Sequence, residues 1–265
     1  MSLFDHINWI YVLIGVFVGG LVGFTGVGGG SLMTPILILL FGVHPATAVG
    51  TDLIYASVTK TGGSIVHGYN KTIDWRVVGL LAMGSVPATA LTVLALYYLK
   101  IDSKTTKLVI TNALGFALLF TAFSLLFRKP LMAWYSARVP ELNPTFVRNM
   151  TIVTGVVLGV LVTLSSVGAG AIGVMALVML YPKMEARRIV GSDIAHAVPL
   201  TLAAGLGHSI LGTIDLVILK SLLVGSIPAI IVASIASARM SDTIIRVMLA
   251  LVLLAVVARF WFFPG

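Results

Sequence analysis

Two glycine-rich stretches combine backbone that can expose N–H groups with hydroxyl side chains, a combination suited to binding an anion. The first, GFTGVGGGSLMTP, covers residues 23–35, and the second, TLSSVGAGAIGV, covers residues 163–174. A helix that restarts after a glycine run presents unpaired N–H groups and the positive end of its dipole. The predicted substrate contacts in the two stretches are Gly28, Gly29, Gly30, Ser31, Ser166, Gly168 and Gly170.

Lys60 is predicted to supply the positive charge of this anion site. It lies in TDLIYASVTKTGGSIVHG, near the middle of a long, largely apolar stretch. A lysine at the bilayer centre costs at least about 2.5–3.5 kcal/mol, so such a residue usually faces the protein interior and has a role. Snorkelling to the surface and a purely structural role are the alternatives.

Two aspartates and a histidine are candidates for proton coupling or gating. Asp52 and Asp193 end the matching tetrapeptides VGTD and VGSD, and each can equally hold a glycine break open by bonding its N–H groups. His196 can titrate near neutral pH or be an ordinary core histidine. Thr51 and Ser192, which precede the aspartates, are predicted to line the same cavity and contact the substrate.

The composition places all these residues in a membrane protein. The chain has 265 residues, of which 58% are hydrophobic and 10% are charged, whereas soluble domains carry about 25% charged residues. The net charge of +8 resides mostly in short loops, which favours a topological role over nucleic-acid binding. The absence of cysteine excludes disulfides and thiolate metal sites. No catalytic constellation occurs either, so neither an enzyme nor a cofactor is predicted.

The hydropathy pattern predicts an all-α polytopic protein of about eight to ten membrane segments. Short apolar stretches flank each glycine break, which indicates two broken or re-entrant helix pairs at 9–43 and 150–181. Within these pairs, 9–23, 31–43, 150–164 and 170–181 are each predicted to be too short to span. The stretches predicted to be long enough are 46–66, 76–98, 106–127, 187–208, 216–238 and 243–263.

The loop charges predict the orientation, because cytoplasmic loops collect lysine and arginine. The N-terminus is then outside, and it lacks the basic region of a signal peptide, so we expect the first apolar stretch to stay in the mature protein. The opposite side carries Lys100, Lys104, Lys107 and little else. The predicted cytoplasmic set is Lys71, Arg76, Arg128, Lys129, Arg138, Arg148, Lys183, Arg187, Arg188, Arg239 and Arg246.

The second half of the chain repeats the first. HGYNKTID and GSVPA recur in order as HSILGTID and GSIPA, together with the matching VGTD and VGSD. The predicted organisation is a transmembrane repeat at 1–127, a cytoplasmic linker at 128–148 and a second repeat at 149–265. Each repeat crosses the membrane an odd number of times, so the copies are inverted, as in many secondary transporters whose substrate binds near the midplane.

The repeat also gives structural explanations for other residues. The spacing of four between Gly15, Gly19 and Gly23, and between Gly155 and Gly159, predicts close helix packing. His67 and His208 occupy matching helix ends, where capping is favoured over metal binding because the two lie on opposite faces. Asp74 and Asp215 are predicted helix N-caps.

At these residues the sequence resembles the sulfite exporter TauE/SafE family over nearly its whole length. The resemblance rests on G-x-G-G-G-x-x-x-x-P from Gly26 to Pro35, on A-V-G-T from Ala48 to Thr51, and on H-G-x-x-x-x-I-D-W-R from His67 to Arg76. A degenerate copy surrounds Gly168, Gly170 and Gly191. Many members are similar to A-V-G-T-S at the second motif, whereas this chain has Asp52 in place of that serine.

The resemblance implies a permease of the cytoplasmic membrane that exports small sulfur-containing anions such as sulfite, sulfoacetate or related organosulfonates. The predicted partners are therefore a small anion, protons as candidate coupling ions, and the lipid bilayer. A channel-like anion pore and a membrane scaffold or assembly factor for sulfur metabolism are the alternatives. A metal permease is weaker, since no thiols exist and His67 and His208 are far apart.

Overall fold

The computed structural model describes residues 7–25, 30–98, 103–136, 142–236 and 242–262. All regular secondary structure in these ranges is α-helical, which confirms the predicted class. The helices are α1 (Trp9–Thr25), α2 (Gly30–Phe41), α3 (Pro45–Tyr69), α4 (Trp75–Tyr98), α5 (Ser103–Ser136), α6 (Pro144–Ser165), α7 (Ile172–Leu180), α8 (Ala186–Ile210), α9 (Leu216–Ala236) and α10 (Asp242–Phe262).

Five helices are long and apolar enough to cross a membrane: α4, α5, α6, α8 and α9. Helix α3 has 25 residues, so it is long enough, but its threonines, glycines, Asp52 and Lys60 leave it outside that group. Burial accounts for part of this composition, because Thr51, Asp52, Ser57 and Lys60 of α3 are buried in the protein. The predicted span at 46–66 is therefore confirmed as a helix but not as an apolar one.

Apolar side chains cover the outside of the helices. On α5, Phe116, Phe120, Phe123 and Phe127 recur at intervals of three and four residues, and each is between 50% and 61% exposed. Residues at this spacing share one helix face. Polar residues such as Thr121 and Ser124 on the same helix are buried instead. An apolar exterior over a partly polar interior is the arrangement of a multi-pass membrane protein.

One predicted segment length is wrong. The stretch 150–164 was expected to be too short to span, but α6 has 22 residues and is among the five membrane-spanning candidates. The helix begins earlier because Pro144 stands at its first turn and the Asn143 side chain accepts a hydrogen bond from the Thr145 N–H. Helix α7 has 9 residues, or about 14 Å of rise, roughly half of the hydrocarbon core.

The predicted N-caps are confirmed. The Asp74 carboxylate accepts from the N–H groups of Arg76 and Val77 at the start of α4. The Asp215 carboxylate accepts from Val217 and Ile218 at the start of α9. Helix α5 runs on to Ser136 and α6 starts at Pro144, so both ends of the predicted linker 128–148 are helical.

Helices pack in pairs across the two halves: α1 on α9, α4 on α6, α3 on α8 and α5 on α10. Glycines form the closest contacts, as the spacing predicted. Gly15 and Gly19 of α1 lie against the backbone of Leu222 and Ser226 in α9. Gly155 and Gly159 of α6 lie against Leu81 and Ser85 in α4. The surroundings of Gly23 are outside the described part of the structure, so its packing role remains a prediction.

Gly19 and Gly20 provide a matched test of this packing. A Cβ at Gly19 would lie 2.7 Å from the Cα and carbonyl oxygen of Ser226, whereas a Cβ at Gly20 meets nothing within 4 Å. We expect Gly19→Ala to destabilise the purified protein by about 1–3 kcal/mol, because α1 and α9 must separate. Gly20→Ala is expected to be neutral or stabilising by up to about 1 kcal/mol. Thermal unfolding in detergent compares the two; equal midpoints would contradict the packing account.

Each broken pair folds back on itself. The rings of Tyr11, near the start of α1, and Phe41, at the end of α2, lie 5.1 Å apart between centroids. The hydroxyls of Thr151, in the second turn of α6, and Tyr181, which follows α7, lie 2.9 Å apart. In both pairs the second helix therefore ends close to where the first begins.

Candidate functional site

Lys60 is buried in the centre of the helix bundle. Its side chain is 6% exposed, and its Nζ donates a 3.0 Å hydrogen bond to the carbonyl oxygen of Ala169. Ala169 lies in the second glycine break, between α6 and α7. The lysine therefore faces the protein interior rather than snorkelling, and it connects α3 of the first half to the break of the second half.

Three ionisable side chains surround this ammonium group. Asp193 and Asp52 lie within electrostatic range of Lys60, with Asp193 the stronger partner, and His196 feels the same positive charge. All three are fully buried. We call Thr34, Asp52, Lys60, Ser166, Asp193 and His196 the buried polar cluster.

The second break has a left-handed backbone that the sequence supports. Ser166 ends α6 at φ 59°, and Gly168 and Gly170 both have φ 123°, a region that side chains with a Cβ rarely adopt. The Ser165 hydroxyl accepts from the N–H of Val167 and donates to the Leu161 carbonyl. These contacts stop α6 and turn the chain into α7.

Side chains from other helices bond the carbonyl groups of this break. Lys60 of α3 donates to Ala169, and the Ser124 hydroxyl of α5 donates to the Ala171 carbonyl at 2.7 Å. Unpaired carbonyls at membrane depth are costly, so these donors stabilise the irregular backbone. An incoming anion would therefore compete with the Ala169 carbonyl for the ammonium group of Lys60.

Each cluster aspartate contacts the short helix of its own half. The Thr34 hydroxyl in α2 donates a 2.6 Å hydrogen bond to Asp52, and Ser166 lies near the same carboxylate. The Asp193 carboxylate lies directly against Gly173 in α7, where a Cβ would overlap it. One oxygen of Asp52, Oδ1, has no hydrogen-bond partner among the described residues. These positions are thus compatible with the structural alternative, in which each aspartate supports the helix that follows a break.

His196 pairs with a serine that the sequence did not single out. Its Nε2 lies 2.8 Å from the Ser85 hydroxyl of α4, and its Nδ1 has no partner within the described chain. The equivalent position in the first half is Tyr55, whose hydroxyl lies beside Ser226, the counterpart of Ser85. The aligned repeats could have identified Tyr55 as a residue of interest, since they pair it with His196.

Thr51 and Ser192 connect α3 and α8 to loops of the opposite half. The Thr51 hydroxyl accepts from the Asp215 N–H at 3.0 Å, and the Ser192 hydroxyl accepts from the Asp74 N–H at 2.8 Å. Both are fully buried. Thr51 and Ser192 occupy matching positions in the repeated sequence, as do Asp215 and Asp74. The two bonds therefore hold the start of α9 and the start of α4 in the same way.

The first break is only partly described. Gly28 and Gly29 lie outside the described residues, Gly30 is the first residue of α2, and the side chain of Ser31 is not among those described. Their predicted substrate contacts remain predictions. Thr34, one turn further along α2, is the residue of this region that the structure brings to the buried polar cluster.

His67 and His208 support helix ends in the same way. The Nδ1 atoms of His67 and His208 lie 2.8 Å and 2.9 Å from the hydroxyls of Thr72 and Thr213, respectively. The His208 Nε2 also bonds the Thr163 carbonyl. No group of three metal-ligating side chains occurs among the described residues. Each Nδ1 atom therefore contacts a threonine that follows its own helix, and the capping interpretation of the two histidines remains a prediction.

The comparisons decide the family. The profile of the sulfite exporter TauE/SafE family matches residues 11–260. The chain belongs to this family. The assignment made from the glycine break and the paired motifs is confirmed, and with it the coarse class of a membrane transport protein.

Two relatives are similar to this chain over most of the length of both proteins. The probable membrane transporter protein YjnA of Bacillus subtilis is 40% identical over 92% of this chain and 95% of its own. The probable membrane transporter protein YdhB of the same organism is 26% identical over 82% and 85%. No solved structure matches the chain.

Proposed function

We propose that the chain is a secondary transporter that moves small sulfur-containing anions, such as sulfite, sulfoacetate or other organosulfonates, across the cytoplasmic membrane, with export as the direction. The observation that carries the proposal is Lys60, a buried ammonium group that bonds the carbonyl of a broken helix deep in the bundle. Family membership supports the transport class, and the lysine supports an anionic substrate.

An inverted repeat provides the architecture for alternating access. The contacts that support it are reciprocal: Thr51 bonds the loop before α9 while Ser192 bonds the loop before α4. Likewise α1 packs on α9 while α6 packs on α4. In each case a contact made by the first half on the second is matched by the equivalent contact of the second half on the first. Such matching is expected when two copies are related by an axis in the membrane plane.

Two re-entrant hairpins complete this architecture. Tyr11 with Phe41, and Thr151 with Tyr181, are equivalent pairs that bring each short helix back to the start of its hairpin. We call the face where α1 begins the first face and the face where α6 begins the second face. Arg76, Arg148 and Lys183 lie around the second face, which is therefore assigned to the cytoplasm. The N-terminus and the first face are outside.

The substrate site lies between the two breaks, with Lys60 as the counter-charge. Lys60 bonds the carbonyl of Ala169 and interacts electrostatically with Asp193 and Asp52. An anion would replace the carbonyl as the partner of Nζ and release the link between α3 and the second break. Loss of this link would allow the two halves to move relative to each other when substrate binds. A ligand shifts a conformational equilibrium only if its contacts differ between the two conformations.

Asp52 is the first candidate for proton coupling, with Asp193 and His196 as further members of the pathway. A proton on a carboxylate would weaken its attraction for Lys60 and so favour the lysine's contact with an anion. This arrangement makes anion and proton binding cooperative, so that the proton concentration changes the affinity for the anion.

Reconstitution into liposomes tests the transport proposal. We expect liposomes that contain the purified protein to take up labelled sulfite or sulfoacetate. Unlabelled anion inside the liposomes should accelerate that uptake, since a carrier reorients faster when it is loaded. Uptake without acceleration by the trans anion would favour the channel-like pore. No uptake of any tested anion, in protein that remains folded, would favour the scaffold or assembly factor.

A further inference from the structure

A second positively charged cavity lies on the first face, away from the buried polar cluster. It has a volume of about 410 Å³ and opens between the ends of α2 and α10 and the starts of α3 and α5. Lys107 of α5, Arg259 of α10 and His44 before α3 line one part of it. The apolar side chains of Ile38, Val43 and Phe260 line another part.

The two long cations in this cavity have no counter-charge within the described part of the chain. Neither Lys107 nor Arg259 forms an ion pair or hydrogen bond within the described chain, and no described lining residue is acidic. The cavity on the second face differs. It is lined by Asp74, whose carboxylate bonds Arg188 at 3.2 Å and caps α4. The second-face cavity also contains Arg76, Arg148 and Lys183, so the first-face cavity differs from it in having no acidic residue among its described lining residues.

The positive-inside rule does not account for this pair of cations, and the helix dipole accounts for only one of them. The positive-inside rule places lysine and arginine on the cytoplasmic face, whereas this cavity lies on the opposite one. A helix dipole favours Arg259, which lies in the last turn of α10. It does not favour Lys107, which lies near the start of α5, where the positive end of the dipole is.

We propose that this cavity is an outer binding site for an organosulfonate, with the sulfonate on Lys107 and Arg259 and the carbon portion against the apolar wall. The inference rests on the proposed function, because it places the site on the path of the transported anion. Helix α3 begins at this cavity with Pro45, and Lys60 follows about 22 Å further along the same helix. Anions released from Lys60 would thus meet a second cationic site before leaving the protein.

The test is a titration of thermal stability with sulfoacetate for the full chain purified in neutral detergent. The Lys60→Met variant removes the central site, so stabilisation that persists in it reports the outer cavity. We expect Lys107→Gln combined with Arg259→Gln, in this background, to raise the half-saturating concentration by about tenfold or more. Arg76→Gln combined with Arg148→Gln, from the second-face cavity, is the matched control and should leave the titration unchanged.

The outcomes separate this inference from the proposed function. A response that persists in Lys60→Met and disappears with the Lys107 and Arg259 substitutions supports the outer site. A response lost in Lys60→Met alone, while transport by the native protein is intact, overturns the outer site and leaves the transporter standing. Stabilisation by phosphatidylglycerol in nanodiscs with no response to sulfoacetate would also overturn it, because the two cations would then hold a lipid headgroup.

Discussion

Lys60→Met is expected to lower the affinity for the transported anion by at least about 100-fold, because the substitution removes a charge partner inside a desolvated site. Methionine keeps the length of the side chain and its apolar stem, so the packing of α3 on α8 changes little. Loss of the ammonium group leaves the Ala169 carbonyl without this donor and the nearby carboxylates without their counter-charge, so the unfolding temperature is expected to fall, and binding is compared on protein that remains folded.

The controls for Lys60→Met separate charge from structure. Lys60→Arg retains a cation and is expected to keep part of the binding, whereas Lys220→Met removes an exposed lysine from α9 and should leave binding unchanged. Equilibrium binding and liposome uptake are measured for each variant. If Lys60→Met binds the anion as tightly as the native protein, the lysine serves only to bond Ala169, and the proposed site is wrong.

The second large effect is expected at Asp52. Asparagine keeps an oxygen that can accept the 2.6 Å hydrogen bond from Thr34 but cannot carry a negative charge. We expect Asp52→Asn to reduce uptake driven by a pH gradient to the background of empty liposomes. Exchange of labelled for unlabelled anion needs no net proton movement and should continue at a rate close to that of the native protein.

The same variant decides between coupling and support of the short helix. If Asp52 only holds α2 through Thr34, Asp52→Asn changes both kinds of transport equally, in proportion to any loss of stability. Thr34→Val provides the comparison, since it removes the hydrogen bond and leaves the carboxylate. Gradient-driven uptake that survives Asp52→Asn would exclude this residue as the coupling group.

The features that the sequence predicted correctly are those encoded by local patterns. Glycines spaced by four identified the closely packed faces of α1 and α6, because on a helix such residues share one face, although the spacing did not identify the partners α9 and α4. A lysine in an apolar stretch identified the buried cation, and the repeated HGYNKTID and HSILGTID loops identified the caps at Asp74 and Asp215.

The features that were missed depend on how distant helices are rotated against each other. Ser85 reaches His196 across 111 residues, and Ser124 reaches the Ala171 carbonyl across 47. No periodicity within one helix specifies such a partner. The length of α6 was missed for another reason: Arg148 and Asn149 interrupt the apolar run in its second turn, so hydropathy alone placed the start at 150 rather than at the capped Pro144.

The most direct test of the central claim uses the absence of cysteine from this chain. Ser166→Cys places a single thiol in the second break, at a residue that is 3% exposed and lies near Asp52. A membrane-impermeant charged thiol reagent is applied to either side of sealed vesicles, with and without sulfoacetate. The account predicts labelling from both sides and protection by the anion. Labelling from one side only under every condition, with no protection, would contradict it.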